Sequence, residues 1–125
     1  MTRVTSLHGV VAVGLVSTCS RTYTDDDVTR FCALVGRSAR PLPEFLPYLM
    51  VIAPLVGLSA ELNCLPTRMT WSVARPVRRD ETLIAEVEVT RVDPAGDRVR
   101  IAFDALVRCD TDVVVEGHST GVLLA

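Results

Sequence analysis

The residues best suited to acid–base chemistry lie in one short stretch of the chain, residues 36–62, which reads GRSARPLPEFLPYLMVIAPLVGLSAEL. Glu44 is next to Phe45 and four residues before Tyr48. A carboxyl group among aromatic side chains loses hydration, which raises its pKa towards the range useful for proton transfer. A tyrosine one helical turn further along can donate a hydrogen bond or orient a substrate. Glu44 and Tyr48 are therefore the candidate catalytic residues.

Three neighbouring residues are candidates for substrate binding, namely Arg37, Arg40 and Phe45. Guanidinium groups bind phosphate well, and an aromatic ring offers an apolar contact. Each of these residues also has a purely structural interpretation. Glu44 can interact with a helix dipole, a contribution of about 0.3–1 kcal/mol. Tyr48 can be a core aromatic residue, and the two arginines can be solvated loop charges, so the sequence leaves both interpretations open.

Composition and spacing argue against several other kinds of site. The four cysteines, Cys19, Cys32, Cys64 and Cys109, form no CxxC pair, and His8 and His118 lie far from any group of ligands. The sequence therefore predicts no metal and no cofactor. A net charge of −2, spread as mixed signs, does not predict a nucleic-acid partner. The N-terminus has no secretory pattern, which favours a cytoplasmic protein with reduced thiols.

Residues 45–60 carry no charged side chain and predict the central helix of the fold. These sixteen residues are fewer than the roughly 20 that a bilayer requires, and Pro47, Pro54 and Gly57 interrupt them, so no membrane span is expected. Pro47 suits a first helical turn, whereas Pro54 should kink the helix or break one backbone bond. Because the segment is apolar on every side, we expect it to be surrounded by the rest of the chain.

The second half of the chain alternates apolar and polar residues, the period of half-buried strands. The predicted inward positions are Met69, Trp71 and Val73; Leu83, Ala85, Val87 and Val89; and Val99, Ile101, Phe103, Ala105 and Val107. Turn sequences VRRDE, DPAGD and CDTD separate the runs. The pattern predicts an antiparallel meander of four strands with one solvated face.

The N-terminal third predicts a strand followed by a short helix. The strand, VVAVGLVSTCSRTYT, contains Gly14 as a possible bulge. Thr24 caps a helix with an acidic first turn, which should run to about Leu34 and end at Gly36 in a left-handed conformation. At 125 residues and 49% hydrophobic composition, the whole chain, residues 1–125, is expected to be one α+β domain.

Three segments resemble the MaoC-like hydratases and dehydratases, which have the hot-dog fold of a central helix wrapped by a curved antiparallel sheet. They are SRTYTDDDVTRFCALVG, MTWSVARPVRRDETL and VEGHSTGVLLA. The active members of that family carry an Asp/His dyad and an overhanging segment after the first helix. Here no Asp and no His occurs in residues 37–48, so the resemblance implies that the dyad is lost or displaced. RPLPEFL is also similar to the helix start of the dehydratases of fatty-acid synthesis, whose own Glu and His are absent here.

The resemblance implies an acyl-thioester substrate, carried on coenzyme A or on a carrier protein whose phosphate would suit Arg37 and Arg40. It implies a hydratase or dehydratase-like lyase of polyketide or fatty-acid biosynthesis. Two alternatives remain open: a non-catalytic hot-dog subunit that shapes the substrate tunnel of a partner chain, and a thioesterase or cyclase-like variant. In each case we expect a homodimer, or a heterodimer with another hot-dog chain, joined through sheet edges.

Overall fold

The computed structural model describes residues 3–6, 9–36 and 45–124, which form seven strands and two helices. The N-terminal elements are β1 (Arg3–Ser6), β2 (Gly9–Ala12), β3 (Val16–Thr22) and α1 (Asp25–Leu34). They are followed by the central helix α2 (Tyr48–Glu61). The last four strands are β4 (Cys64–Val73), β5 (Thr82–Ala95), β6 (Arg98–Cys109) and β7 (Asp112–Leu123). The predicted α+β class is confirmed.

Helix α1 begins and ends where its sequence predicts. The Asp27 N–H donates to the Thr24 hydroxyl at 3.3 Å, and the Asp27 carboxylate accepts from the Thr24 N–H at 2.9 Å. This reciprocal pair is a capping box, and the hydrogen bond from the Thr24 N–H is the largest cause that lowers the pKa of Asp27. Gly36 follows the helix with φ of +72°, a left-handed conformation that glycine adopts without strain.

The main sheet has five strands in the order β3-β5-β6-β7-β4, all antiparallel. The prediction of a four-strand meander is wrong in one respect, because β4 pairs with β7 at the far edge instead of with β5. Only β5, β6 and β7 are joined as a meander. An alternating pattern shows which side of a strand is buried but does not show which strand it pairs with.

The N-terminal strand is divided, contrary to the prediction of one strand with a bulge. Gly14 has φ of +91° and forms a turn between β2 and β3, in which the Leu15 N–H donates to the Ala12 carbonyl at 3.1 Å. Strand β2 pairs with β1 in a separate two-stranded sheet, and β3 forms the edge of the main sheet. Glycine allows this turn because it has no side chain to clash at positive φ.

Helix α2 packs on the inner side of the sheet, and the predicted inward residues of β5 and β6 form the core. Leu83, Ala85, Val87 and Val89 are buried, as are Ile101, Phe103, Ala105 and Val107. On β4 the prediction holds only in part. Trp71 is partly buried, whereas Val73 is 43% exposed because it faces an open pocket beside the start of α2.

Helix α2 is not surrounded on every side, so that prediction is wrong. One side, defined here as the open face of α2, consists of Leu49, Ala53, Val56 and Ala60, all exposed. Pro54 lies inside the helix without ending it, and Pro47 precedes the first turn as the N-cap. Within the described ranges, no helix has both the length and the apolar character that crossing a bilayer requires.

Candidate functional site

The chain reaches α2 through a short extended segment that is fixed to the connection between β4 and β5. Phe45 forms an isolated antiparallel bridge with Arg78, and the Arg78 guanidinium lies 5.9 Å from the centre of the Phe45 ring. The Leu46 N–H donates to the Val77 carbonyl at 2.5 Å, and both of these side chains are buried. These contacts hold the start of α2 against the end of the sheet where β4 ends and β5 begins.

The first turn of α2 has no side-chain cap. Pro47 is the N-cap, and its carbonyl accepts hydrogen bonds from the N–H groups of Met50 at 3.0 Å and Val51 at 3.3 Å. The N–H groups of Tyr48 and Leu49 have no acceptor among the described residues. Unpaired N–H groups at a helix start carry partial positive charge, so they can polarise a carbonyl oxygen placed beside them.

A pocket of about 300 Å³ opens at this helix start. Its apolar walls come from Leu46, Val51, Val73, Ala74, Pro76 and Val77, and its polar members are Tyr48 and Arg75. We call it the α2 pocket. Its size is at the lower end of the range for small-molecule sites, and its lining, mostly apolar with two polar groups, is typical of such sites.

Arg75 sits in a charged network at the rim of the α2 pocket. Its Nε lies 2.7 Å from Asp112 Oδ2, and its Nη2 lies 3.3 Å from Glu81 Oε1. The hydrogen bond to Asp112 is the largest cause that raises the pKa of Arg75. Glu81 accepts from the Arg78 N–H at 2.7 Å, and this bond lowers the pKa of Glu81 more than any other cause. Arg75 and Glu81 are therefore both charged at neutral pH, and they form an ion pair at the rim of the pocket.

The structure describes two of the five predicted site residues. Glu44, Arg37 and Arg40 lie outside the described residues, so their assignments stay predictions. Phe45 and Tyr48 are at the start of α2, and both are partly exposed, at 41% and 46%. Residues 45–47 are not helical, because α2 begins only at Tyr48. The helical geometry predicted between positions 44 and 48 is therefore wrong over these three residues.

The structure also places Cys64 and His118, two residues with potentially reactive side chains. Cys64 is buried, and burial raises the pKa of its thiol to about 11, which leaves the thiol protonated and a poor nucleophile. His118 lies on the outer side of the sheet, where its Nδ1 is 2.9 Å from Asp104 Oδ1. Neither residue lines the α2 pocket. His8 is outside the described residues.

Solved structures with the same arrangement of helix and sheet identify the fold. The matches include a protein from Archaeoglobus fulgidus, with a TM-score of 0.77, 18% identity, and coverage of 92% of this chain and 80% of that one. The (R)-hydratase PhaJ1 from Pseudomonas aeruginosa matches with a TM-score of 0.70 and 20% identity, over 89% of this chain and 81% of the other. The chain has the hot-dog fold.

The same comparison matches a complex of two different chains, ChsH1-ChsH2 from Mycobacterium tuberculosis, with a TM-score of 0.70 and 13% identity, over 90% of this chain and 98% of that one. The solved hot-dog structures that match this chain include MaoC-like hydratases, dehydratases and thioesterases. No protein-family model matches the sequence, and no curated protein matches it. At these identities the likeness establishes the fold, and the activities belong to the matched proteins.

Arg75 and Glu81 are the residues of this region that sequence reasoning missed. Arg75 precedes Pro76 and Val77 in the segment ARPVRRDE, whose sequence predicts a turn and contributes to the family resemblance but does not predict an ion pair. Asp112, the nearest partner of Arg75, is 37 positions away along the chain. No local pattern reveals a contact at that separation. The density of charge in the segment, with three arginines and two acids in eight residues, was the one available signal.

Proposed function

We propose that this chain binds acyl thioesters in the α2 pocket and acts on them as a hydratase or dehydratase-like enzyme of polyketide or fatty-acid type biosynthesis. The observation that carries the proposal is the uncapped start of α2, which opens beside an apolar pocket. The acyl chain occupies the pocket, and the thioester carbonyl meets the N–H groups of Tyr48 and Leu49. Such donors stabilise the negative charge that develops on the carbonyl oxygen during α-proton removal.

Glu44 is the proton carrier in this proposal. The two carboxylates near the rim of the pocket, Glu81 and Asp112, are both bound to Arg75. A carboxylate held by a guanidinium is a weak base, which leaves Glu44, by sequence adjacent to Phe45, as the candidate. In dehydration its carboxylate removes the α proton of a 3-hydroxyacyl thioester. The same proton then passes to the departing β-hydroxyl group, which gives a 2-enoyl thioester and water.

The other predicted site residues have supporting roles in this proposal. The Tyr48 hydroxyl donates a hydrogen bond that orients the substrate, and the Phe45 ring covers part of it. Arg37 and Arg40 bind the phosphate of the coenzyme A or carrier-protein handle. The carrier lies outside the pocket, since the pocket volume of about 300 Å³ suits an acyl group rather than the whole handle.

The experiment is an assay of the wild type and the Glu44→Gln variant on 3-hydroxyacyl and 2-enoyl thioesters, with dehydration, hydration and hydrolysis all measured. Glutamine is nearly isosteric but cannot accept the proton, so turnover should fall by about 100-fold or more at an unchanged Tm. Glu61→Gln, at the exposed far end of α2, is the matched control. Equal turnover in wild type and Glu44→Gln would remove Glu44 from the mechanism. Hydrolysis alone would favour the thioesterase or cyclase-like alternative.

A second candidate function is a non-catalytic hot-dog subunit that stabilises a catalytic partner chain. The open face of α2 favours it, because a contiguous exposed apolar surface usually marks a site of interaction with another protein. The HadBC and ChsH1-ChsH2 structures show that matched hot-dog proteins occur in complexes of unlike chains. A wild-type chain inactive on every thioester, which becomes part of an active complex with a second hot-dog chain, would support this function over the first.

A further inference from the structure

The outer side of the sheet, which faces away from α2, carries a groove of about 700 Å³. It runs along the end of β5, the start of β6 and the end of β7, and it reaches the edge strand β4 at Thr67. Its polar lining consists of Arg91, Arg98, Arg100, His118, Thr67, Thr90, Thr120 and Asp93. We call it the outer groove. It is larger than the α2 pocket and contains none of its residues.

Small side chains form the floor of the outer groove. Strand register places Ala102 between Arg91 on β5 and Thr120 on β7, and Gly121 is the next residue on β7. One row further along, Arg100 stands between Asp93 and Val122. Long arginine side chains therefore stand beside a floor that is low at Ala102, and the groove lies between them.

The outer groove has more positive than negative charge. Arg91 Nη2 lies 3.1 Å from Asp93 Oδ2, and this pair is exposed. Arg98 and Arg100 have no carboxylate within 4.0 Å in the part of the chain that the structure describes. Three guanidinium groups thus face one carboxylate, in a protein whose net charge is −2.

Acidic residues limit the positive region on one side. The next rows of the same outer face carry Glu88 and Asp104, which are opposite each other, and Glu116. Asp104 is bound to His118 at 2.9 Å, where the acidic rows meet the outer groove. An anion on this face is repelled from the acidic rows and attracted to the arginine rows, so the two charges together restrict where it can bind.

We infer that the outer groove is a binding site for an organic phosphate that carries at least two anionic groups. Guanidinium groups present paired N–H donors in a planar fork that fits phosphate oxygens. The hydroxyls of Thr90 and Thr120 add neutral donors beside them. One phosphate pairs with Arg98 and Arg100, and a second reaches Arg91, whose charge Asp93 offsets in part.

The site does not depend on the proposed function, because it lies at the opposite end of the sheet. The α2 pocket adjoins Arg75, which contacts Asp112 at the start of β7. The outer groove adjoins Thr120 and Val122 near the end of β7. A strand advances about 3.3 Å per residue, so the eight to ten residues between these positions place Asp112 about 30 Å from Thr120 and Val122. The two sites also share no lining residue.

The test is isothermal titration calorimetry of the full chain at low salt with inorganic pyrophosphate and with adenosine 3′,5′-bisphosphate. We expect saturable 1:1 binding, weakened about tenfold or more in Arg100→Gln, because each charge-assisted hydrogen bond contributes strongly. Arg30→Gln loses the same charge on α1, where Arg30 pairs with Asp26, and should bind as the wild type does. Thermal melts confirm that both variants are folded.

Tighter binding of the bisphosphate than of pyrophosphate would identify a nucleotide as the source of the phosphates, and equal binding would identify the phosphates alone. Both results support the site. The inference is overturned if the wild type shows no saturable binding, or if Arg30→Gln and Arg100→Gln weaken binding equally. Binding of polyglutamate without binding of either phosphate would also reject it, in favour of an acidic protein surface as the partner.

Discussion

The open face of α2 predicts that the chain forms a dimer in solution, and Val56→Asp tests this directly. Val56 is 53% exposed and Leu49 is 56% exposed on this face. Strand β4, which follows α2, is an edge of the sheet and pairs on one side only with β7. A second copy paired along β4 would extend the sheet and bring apolar helix surfaces together across a twofold axis.

The size of the effect follows from the exposed side chains. Complete burial of a Val or Leu side chain is worth about 1.5–3 kcal/mol, so covering the exposed half of each gains about 1 kcal/mol. Two copies of Val56 and Leu49 then contribute about 4 kcal/mol, or close to a thousandfold in Kd. Aspartate at position 56 removes half of this gain and buries two unpaired carboxylates. We therefore expect the Kd of the dimer to rise by about 100-fold or more.

The assay is sedimentation velocity at micromolar concentration, where the wild type should sediment as a dimer and Val56→Asp as a 13.6 kDa monomer. Val16→Asp is a closely matched control, since Val16 is also 53% exposed but lies on β3, at the opposite edge of the sheet. It should remain dimeric. A monomeric wild type, or equal dissociation of the two variants, would refute the assignment of this face to a dimer.

Four substitutions inside the fold have further expected outcomes. A methyl group at Gly117 would overlap the Trp71 ring, so Gly117→Ala should lower the free energy of unfolding by about 1–3 kcal/mol in urea denaturation. Gly57→Ala, which meets only open space, should raise it by about 0.5–1 kcal/mol. Trp71→Ala should cost about 2 kcal/mol in the same assay, less than a fully buried tryptophan, and no loss would contradict its place on the inner side. The Arg78 N–H lowers the pKa of Glu81 from 4.5, so this stabilisation is complete above pH 4.5 and is lost as pH falls through the lowered pKa. Glu81→Gln should lack that acid-side decrease in Tm.

Features of the fold that depend on residues close together in the sequence could be predicted from the sequence alone. The alternation from Leu83 to Val89 fixed the buried side of β5, and Thr24 with Asp27 fixed the start of α1. The pairing of β4 with β7 could not be predicted, because a period of two does not encode a partner strand. The exposure of the Val56 side chain could not be predicted for a similar reason. An apolar helix sequence does not show whether its own sheet or another chain covers each side.

Two of the predicted site residues can be placed in the fold, whereas the contacts that support this region could not be predicted. Tyr48 and Phe45 lie at the start of α2, as their positions in the sequence suggested. The role of Arg75 could not be predicted, because its partner Asp112 is 37 positions away in the sequence. This ion pair joins the connection between β4 and β5 to the start of β7. Long-range charge pairs of this kind depend on the final topology, and here the topology itself was predicted incorrectly at β4.

The Arg75 network also explains how the α2 pocket can form without the overhanging segment that the resemblance to MaoC-like enzymes implies. Arg75 joins the start of β7, through Asp112, to the beginning of β5, through Glu81. Val77 lies between these anchors, and its carbonyl receives the Leu46 N–H just before α2. The start of α2 is therefore positioned by the sheet itself. A pocket built this way does not need residues from an overhang to hold the start of α2 in place, so the thioester binding proposed for it does not require that segment.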